Sequence, residues 1–349
     1  MMTPKYSRSS INRVGEILAA DDSTDEQLRL AKQSLSDWRA LHLYPMNVFQ
    51  TTLRKYVNEI DSKGIVAQRL KRTPTIIDKL KNRQTNMSLG RMQDVGGLRA
   101  IVSNVQQVRK IRERFVRPQP KRILKREYDY IAEPKESGYR GIHLVYEYRN
   151  PKKPEYDGLQ IEIQLRTRLQ HLWATAVETV GFFYQESLKS SLGNEKRLEF
   201  FQMVSALFAL KENQPTCEQY RDLSFETLVD QLWQFDSNHK ILHQLEAIQV
   251  ARDAVKEPKL ADATYWIIQT NLAPFTTSIF PFFKVQQESA KMVYQFLEET
   301  IKSTESINGK SQVVLVSTDS VKQLNKAYPN FFLDIADFIS NVKALSPRF

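Results

Sequence analysis

Between Glu26 and Tyr44 apolar residues recur every three or four positions, at Leu28, Ala31, Leu35, Trp38 and Leu41. That is the period of an amphipathic helix. Ser23, with Glu26 three positions on, has the form of a capping box at its start. Residues 1–68 as a whole read as mostly helical. A further helix is predicted from Thr73-Pro74 through Ile76, Ile77 and Leu80. Its proline falls in the first turn, where a missing N–H costs nothing. From Gly90 to Arg166 the pattern changes. Six of the eleven glycines fall there, with β-like runs at Leu98–Ser103, Ile142–Tyr148 and Leu159–Arg166. The last two alternate apolar and polar, as half-buried strands do. A long helix is predicted from Arg168 to Leu188, with Leu172, Trp173, Ala176, Val177 and Val180 on one stripe.

Residues 190–262 read as helical and polar-rich, with no recognisable site. Beyond Asp262 the pattern predicts strands at Tyr265–Asn271, Thr276–Phe283 and Gln312–Ser317, with helices at Ser289–Ile301 and Val321–Leu345, the latter interrupted at Pro329. The expected class is α+β, a mixed sheet flanked by helices with a helical segment and a small C-terminal α/β appendage. Four segments are expected: 1–68 helical, 69–189 carrying the chemistry, 190–262 helical, and 263–349 a small α/β domain.

Charge sharpens this picture. The net charge is +10, yet Leu53 to Arg126 alone holds twenty Lys and Arg against five Asp and Glu, leaving the remainder slightly acidic. A basic bloc of that kind attracts phosphate-bearing partners, although a solvated face fits any single lysine in it. Cys217 is the only cysteine, which excludes an internal disulfide framework and fits a reducing compartment. With no long apolar run and no apolar stretch after MMTPKYSRSSINRVGE, the expectation is a cytoplasmic protein with no membrane partner.

Three segments carry candidate chemistry. In LQIEIQLR, Glu162, Gln164 and Arg166 share one strand face, opposite Ile161, Ile163 and Leu165. That row suits a ligand, or simply the solvent side of a sheet. In RMQDVGGLRAIV, Asp94 precedes a glycine pair and Arg99. Asp94 is a plausible Mg²⁺ ligand, since Mg²⁺ takes one or two carboxylates plus phosphate oxygens and water, although Asp beside Gly is also a turn signal. In DYIAEPKESGYRGIH a loop with Lys135 leads to Tyr139, Arg140 and His143. Tyr139 can stack on a base and the cations can hold phosphates, or the segment is a hairpin with Tyr139 as packing.

Together, RMQDVGGLRAIV, DYIAEPKESGYRGIH and IEIQLRTRLQHLWA, in that order, resemble the synthetase domain of the RelA/SpoT homologue family, over roughly Arg69 to Tyr184. The resemblance implies a nucleotidyltransferase-like mixed sheet and transfer of pyrophosphate from ATP to a 3′-hydroxyl. It implies Asp94 and Glu162 as catalytic and metal-binding carboxylates, with Mg²⁺ as cofactor. Arg69, Lys71, Lys79 and Arg99 would bind ATP, and Lys135, Tyr139, His143, Gln164 and Arg166 the acceptor. Two positions depart from the family pattern. Tyr128 stands where many members carry lysine, and Ser137 where long members carry asparagine.

A guanosine nucleotide is the family's usual acceptor, giving an alarmone. The 3′ end of tRNA or an adenosine nucleotide stays open, since toxin-like members modify tRNA and a basic bloc suits a polyanion. None of the five histidines is followed by aspartate, so the His-Asp hydrolase signature is missing and external or self control is expected. A degenerate, non-catalytic nucleotide sensor is the reading from another class. A homo-oligomer or a regulatory partner also stays open.

Overall fold

The computed structural model describes residues 6–81, 87–120, 122–184, 194–246, 263–272, 275–286, 288–290, 292–294, 296–297, 300, 311–317 and 331–348. The chain forms two compact units, residues 1–133 with 140–168, and residues 134–139 with 169–349.

The first unit opens with three helices, α1 (Arg8–Ala19), α2 (Asp25–Leu41) and α3 (Leu43–Ile60). The capping box of α2 lies one residue beyond the expected one. Thr24 accepts from the Gln27 N–H at 3.3 Å, and Gln27 accepts from the Thr24 N–H at 2.8 Å. Ser23 instead donates to the Ile17 carbonyl, and Glu26 pairs with Arg29. Both spacings satisfy the motif; the chain uses the second. The helix expected to reach Tyr44 ends at Leu41, and α3 begins at Leu43 with Pro45 in its first turn. A proline there suits a new helix and cannot continue an old one, because it has no N–H to give.

Strand β1 (Ile65–Leu70) follows, running through position 68, and then α4 (Thr73–Lys81), β2 (Gly96–Val102), α5 (Val105–Val116), β3 (Arg122–Asp129), β4 (Ile142–Tyr148) and β5 (Gln160–Thr167). They build a mixed sheet in the order β1-β2-β5-β4-β3, with β2 and β5 parallel and the other pairs antiparallel. One face of the sheet packs on α3 and α5. Phe49, Leu53, Val57, Val108, Ile111 and Phe115 meet Leu98, Leu144, Tyr146, Ile161 and Ile163 there, all of them buried. Tyr146 reaches through this layer to donate to the Phe115 carbonyl at 2.8 Å. A second apolar cluster joins α1, α2 and α4 through Ile11, Leu35, Trp38 and Ile76, with Leu89 and Val95 beside them. The ladder between β3 and β4 shifts by one residue between Leu124 and Arg126, a β-bulge at Lys125.

The second unit holds α6, from Leu169 on within Arg168–Tyr184, then α7 (Glu195–Lys211), α8 (Phe225–His239) and a three-stranded antiparallel sheet in the order β7-β6-β8. Its strands are β6 (Ala263–Leu272), β7 (Phe275–Phe283) and β8 (Ser311–Ser317). The polar-rich expectation for 190–262 fails at α7, where Phe200, Phe201, Met203, Val204, Leu207 and Phe208 are all buried. The rings of Phe201 and Phe208 pack against Phe338 of a C-terminal helix, Phe331–Lys343. The described residues between 288 and 300 are helical, as expected, while 321–330 and 185–188 lie outside the described residues.

Candidate active site

The strict alternation of β5 gives each of its faces one job. Ile161, Ile163 and Leu165 enter the core, at most 1% exposed, and that leaves Glu162, Gln164 and Arg166 on the opposite face. Strand pairing extends the polar row across the sheet. Arg99 of β2 pairs with Gln164, Gln164 with His143 of β4, and His143 with Tyr128 of β3. In the next row, Arg69 of β1 pairs with Gly97, Gly97 with Glu162, Glu162 with Val145, and Val145 with Arg126.

Hydrogen bonds wire the centre of this face into a chain. Arg166 donates to the side-chain Oε1 of Gln164 at 2.8 Å, and the Gln164 side-chain amide donates to Glu162 Oε2 at 2.7 Å. His143 Nδ1 lies 2.8 Å from Glu162 Oε1. Burial pushes the Glu162 carboxyl upward. The hydrogen bond and charge of His143, then Gln164 and Arg166, outweigh it and hold the group at about 2. Glu162 is therefore a fixed anion at neutral pH. Edge-on to His143, at 5.4 Å between ring centroids, stands Tyr130, whose ring is parallel to that of Tyr128 at 5.8 Å. Asp129 sits between these tyrosines in sequence but faces away to pair with Arg109, and it accepts the N–H groups of Ile131 and Ala132 at 3.1 Å each. Burial raises its pKa, and the Arg109 pairing and those N–H groups bring it below the ordinary value.

Asp94 is held differently. It lies on the segment between a short 3₁₀ turn, Leu89–Arg91, and β2. Lys71, just past β1, contacts its Oδ2 at 2.6 Å, and Lys79, in the last turn of α4, its Oδ1 at 3.4 Å. The backbone fixes Lys71, since its N–H donates to the Val95 carbonyl and its own carbonyl accepts from Arg39 Nε at 2.8 Å. The two glycines after Val95 serve opposite needs. A Cβ on Gly96 would come within 2.9 Å of the Ile161 Cδ1, 3.0 Å of the Met46 sulfur and 3.1 Å of the His42 Cβ, so a side chain there would have to push these neighbours aside. A Cβ on Gly97 would meet only ordinary contacts, the nearest at 3.6 Å, so a side chain fits there sterically.

Asp94, Lys79 and Glu162 line one cavity of about 760 Å³, together with Arg8, Arg91, Lys125, Arg126 and Tyr128. Cations surround two carboxylates, which suits a polyphosphate with a divalent metal. Among the described residues no group of three His, Cys, Asp or Glu could hold a metal by itself. Two carboxylates are what Mg²⁺ asks of a protein when phosphates and water complete its ligands.

Of the expected site residues, Asp94, Lys71, Lys79, Glu162, His143, Gln164 and Arg166 are joined by the contacts above, and Arg69 and Arg99 lie in strand register beside Glu162 and Gln164. Lys135 and Tyr139 belong to the second unit. There Tyr139 is 5% exposed and edge-on to Trp173 at 6.4 Å, with Lys135 Nζ 5.6 Å from its ring centroid. The Tyr139 ring is thus packed rather than offered to solvent. Its loop is tied to α7, where Gln202 donates to the Glu136 carbonyl at 2.7 Å and Ser205 to that of Gly138.

Arg8, Lys125, Arg126 and Arg91 were not singled out from sequence as site residues. The last three lie in the basic bloc. Arg8 carries no sequence signal, because only folding of α1 against the 3₁₀ turn brings it here. Asn12 accepts from the Gly90 N–H at 2.8 Å, and Arg8 Nε donates to the Gly90 carbonyl at 3.3 Å.

Comparison with known proteins finds relatives over part of this chain. GTP pyrophosphokinase YjbM of Bacillus subtilis is 29% identical over 138 residues, 39% of this chain and 65% of that protein. GTP pyrophosphokinase YwaC of the same organism is 26% identical over 131 residues, 36% of this chain and 62% of that protein. The chain thus spans just under two thirds of the length of these relatives. The solved structure of small alarmone synthetase 1 from Bacillus subtilis bound to its product pppGpp is 24% identical, with a TM-score of 0.46, covering 52% of this chain and 94% of that one. Residues 68–187, which hold Asp94, Glu162 and the side chains that grip them, match the region found in RelA/SpoT proteins, and over that stretch the chain carries a RelA/SpoT domain.

Proposed function

We propose that this domain transfers pyrophosphate from ATP to the 3′-hydroxyl of a guanosine nucleotide, with Mg²⁺ as its cation. The observation that carries the reading is one cavity lined by two carboxylates of the RelA/SpoT region, each with different partners. The acceptor's 3′-oxygen forms a bond to the β-phosphorus and its hydroxyl proton passes to water, while the bond from that phosphorus to the oxygen bridging to the α-phosphorus breaks and AMP leaves with that oxygen. Such transfers depend mostly on positioning and charge stabilisation.

Lys71 and Lys79, with Arg69 and Arg99, would hold the donor's phosphates. Asp94 and Glu162 would hold Mg²⁺, whose charge, when it is bound, stabilises the phosphate oxygens. At about 2, the Glu162 carboxyl is a feeble proton acceptor at neutral pH. Its part is to present a fixed negative charge and to orient the hydroxyl, with His143 and Gln164 keeping it in place. The acceptor roles of Lys135 and Tyr139 rest on the family resemblance alone.

The test is incubation of the full chain with Mg²⁺ and ATP labelled at the γ-phosphate, offering GDP, GTP, ATP and deacylated tRNA separately. Label on GDP or GTP supports the proposal. Label on ATP or tRNA keeps the reaction and changes the acceptor. Neither transfer nor AMP would overturn the transferase reading in favour of a nucleotide sensor.

A further inference from the structure

Asp94 has both oxygens engaged by ammonium groups, at 2.6 and 3.4 Å. These contacts are partly shielded from water, since the side chains of Lys71, Lys79 and Asp94 are 15%, 33% and 26% exposed. Shielding of that degree keeps the attraction stronger than in a surface pair. At Glu162 the partners among the described residues are an imidazole and an amide rather than ammonium groups. A divalent cation arriving alone would find the Asp94 oxygens already neutralised, and it would be repelled by two positive charges a few ångströms away. A polyphosphate changes that balance. It offers the lysines competing anionic oxygens, draws them off Asp94, and brings metal-binding oxygens of its own.

On this basis, and resting on the proposed reading of the cavity, we propose that Lys71 and Lys79 form an exchangeable lock on Asp94, so that a divalent metal binds only together with a polyphosphate. Lys71 and Lys79 are then positioning residues with two states, on Asp94 in the empty site and on donor phosphates in the loaded one. Lys71 is the stronger member, by its shorter contact and deeper burial.

Mn²⁺ is a direct probe, because water-proton relaxation distinguishes protein-bound metal from metal on a free nucleotide. Three mixtures with the full-length chain suffice: Mn²⁺ alone, Mn²⁺ with α,β-methylene ATP, and Mn²⁺ with inorganic tripolyphosphate. Wild type should show little protein-bound Mn²⁺ alone and strong binding with either polyphosphate. The Lys71→Gln, Lys79→Gln double variant should bind Mn²⁺ alone at least tenfold more tightly than wild type, and Asp94→Asn in that background should abolish the gain. Tight Mn²⁺ binding by wild type without polyphosphate would overturn the lock and leave the transferase reading standing. Failure of wild type to bind Mn²⁺ even with α,β-methylene ATP would overturn both. The wild-type mixtures decide the matter even if the double variant does not fold.

Discussion

Asp94 and Glu162 face one cavity from two settings. Asp94 sits on a connecting segment and is gripped by the ends of long, rotatable lysine chains. Glu162 sits in the middle of a sheet and is gripped by His143 from the neighbouring strand β4 and by Gln164 from its own strand. The first arrangement can exchange partners with little backbone movement. The second is set once the sheet forms. A transfer site needs both, because the donor's charge must be taken up and released each cycle while the reacting oxygen must find the same geometry every time.

The sharpest way to break this contrast is to neutralise each acid. Glu162→Gln and Asp94→Asn should each lower pyrophosphate transfer by three or more powers of ten, roughly 4 kcal/mol of barrier. Metal-free binding should separate them. Asp94→Asn releases two lysines and should tighten α,β-methylene ATP in EDTA, whereas Glu162→Gln should not; equal behaviour would erase the distinction. Next in size is the back of the same strand. Ile163→Ala removes a fully buried side chain behind Glu162 and should cost about 2–5 kcal/mol in denaturant unfolding.

Acid should undo the two settings in sequence. His42, packed under Gly96 close to the Asp94 segment, is held down to about 4, first by burial; the Trp38 carbonyl opposes that and Arg39 adds to it. Folding thus favours its neutral form. That stability is complete above its ordinary 6.5 and is lost as pH falls from 6.5 towards 4. A shift of that size is worth about 3 kcal/mol, and His42→Gln should flatten this limb of a stability–pH curve. Glu162, with a depressed pKa, contributes stability above its ordinary 4.5 that is lost only as pH falls from there towards 2. Smallest is Gln164→Ala, which removes one of the two contacts holding Glu162. It should cost about tenfold in rate, roughly 1.4 kcal/mol, and move the low-pH limb upward.

These contrasts were unevenly legible in the sequence. Strand β4 was placed to the residue and β5 to within one, because a buried face forces alternation. The helix stripe of α6 was legible for the same reason. Strands β1 and β3 were not read, and both lie at sheet edges, where one side lacks a strand partner and polar residues are tolerated. Helix α5 carries its stripe at Val105, Val108, Ile111 and Phe115, but the basic residues between them mask the pattern. Pairing of Lys71 and Lys79 with Asp94 follows from β1 lying against β2, which no local pattern announces. Glu162, Gln164 and His143 were legible because β4 and β5 alternate strictly, whereas Asp94, on a connecting segment, was marked only by its motif.

The bulge at Lys125 has a consequence for how this chain can vary in length. Leu124 lies opposite Tyr146 on the core face, while Arg126 lies opposite Val145 on the cavity face. Deleting Lys125 would splice the two halves of β3 into a regular ladder with every other residue still on its present face. Deleting Glu127 instead would slide Tyr128 opposite Leu144 and turn its ring into the core. Along this edge strand a deletion keeps the faces at Lys125 and inverts them two residues further on, so losing Lys125 takes one cation from the cavity wall and leaves Arg126 and Tyr128 on it.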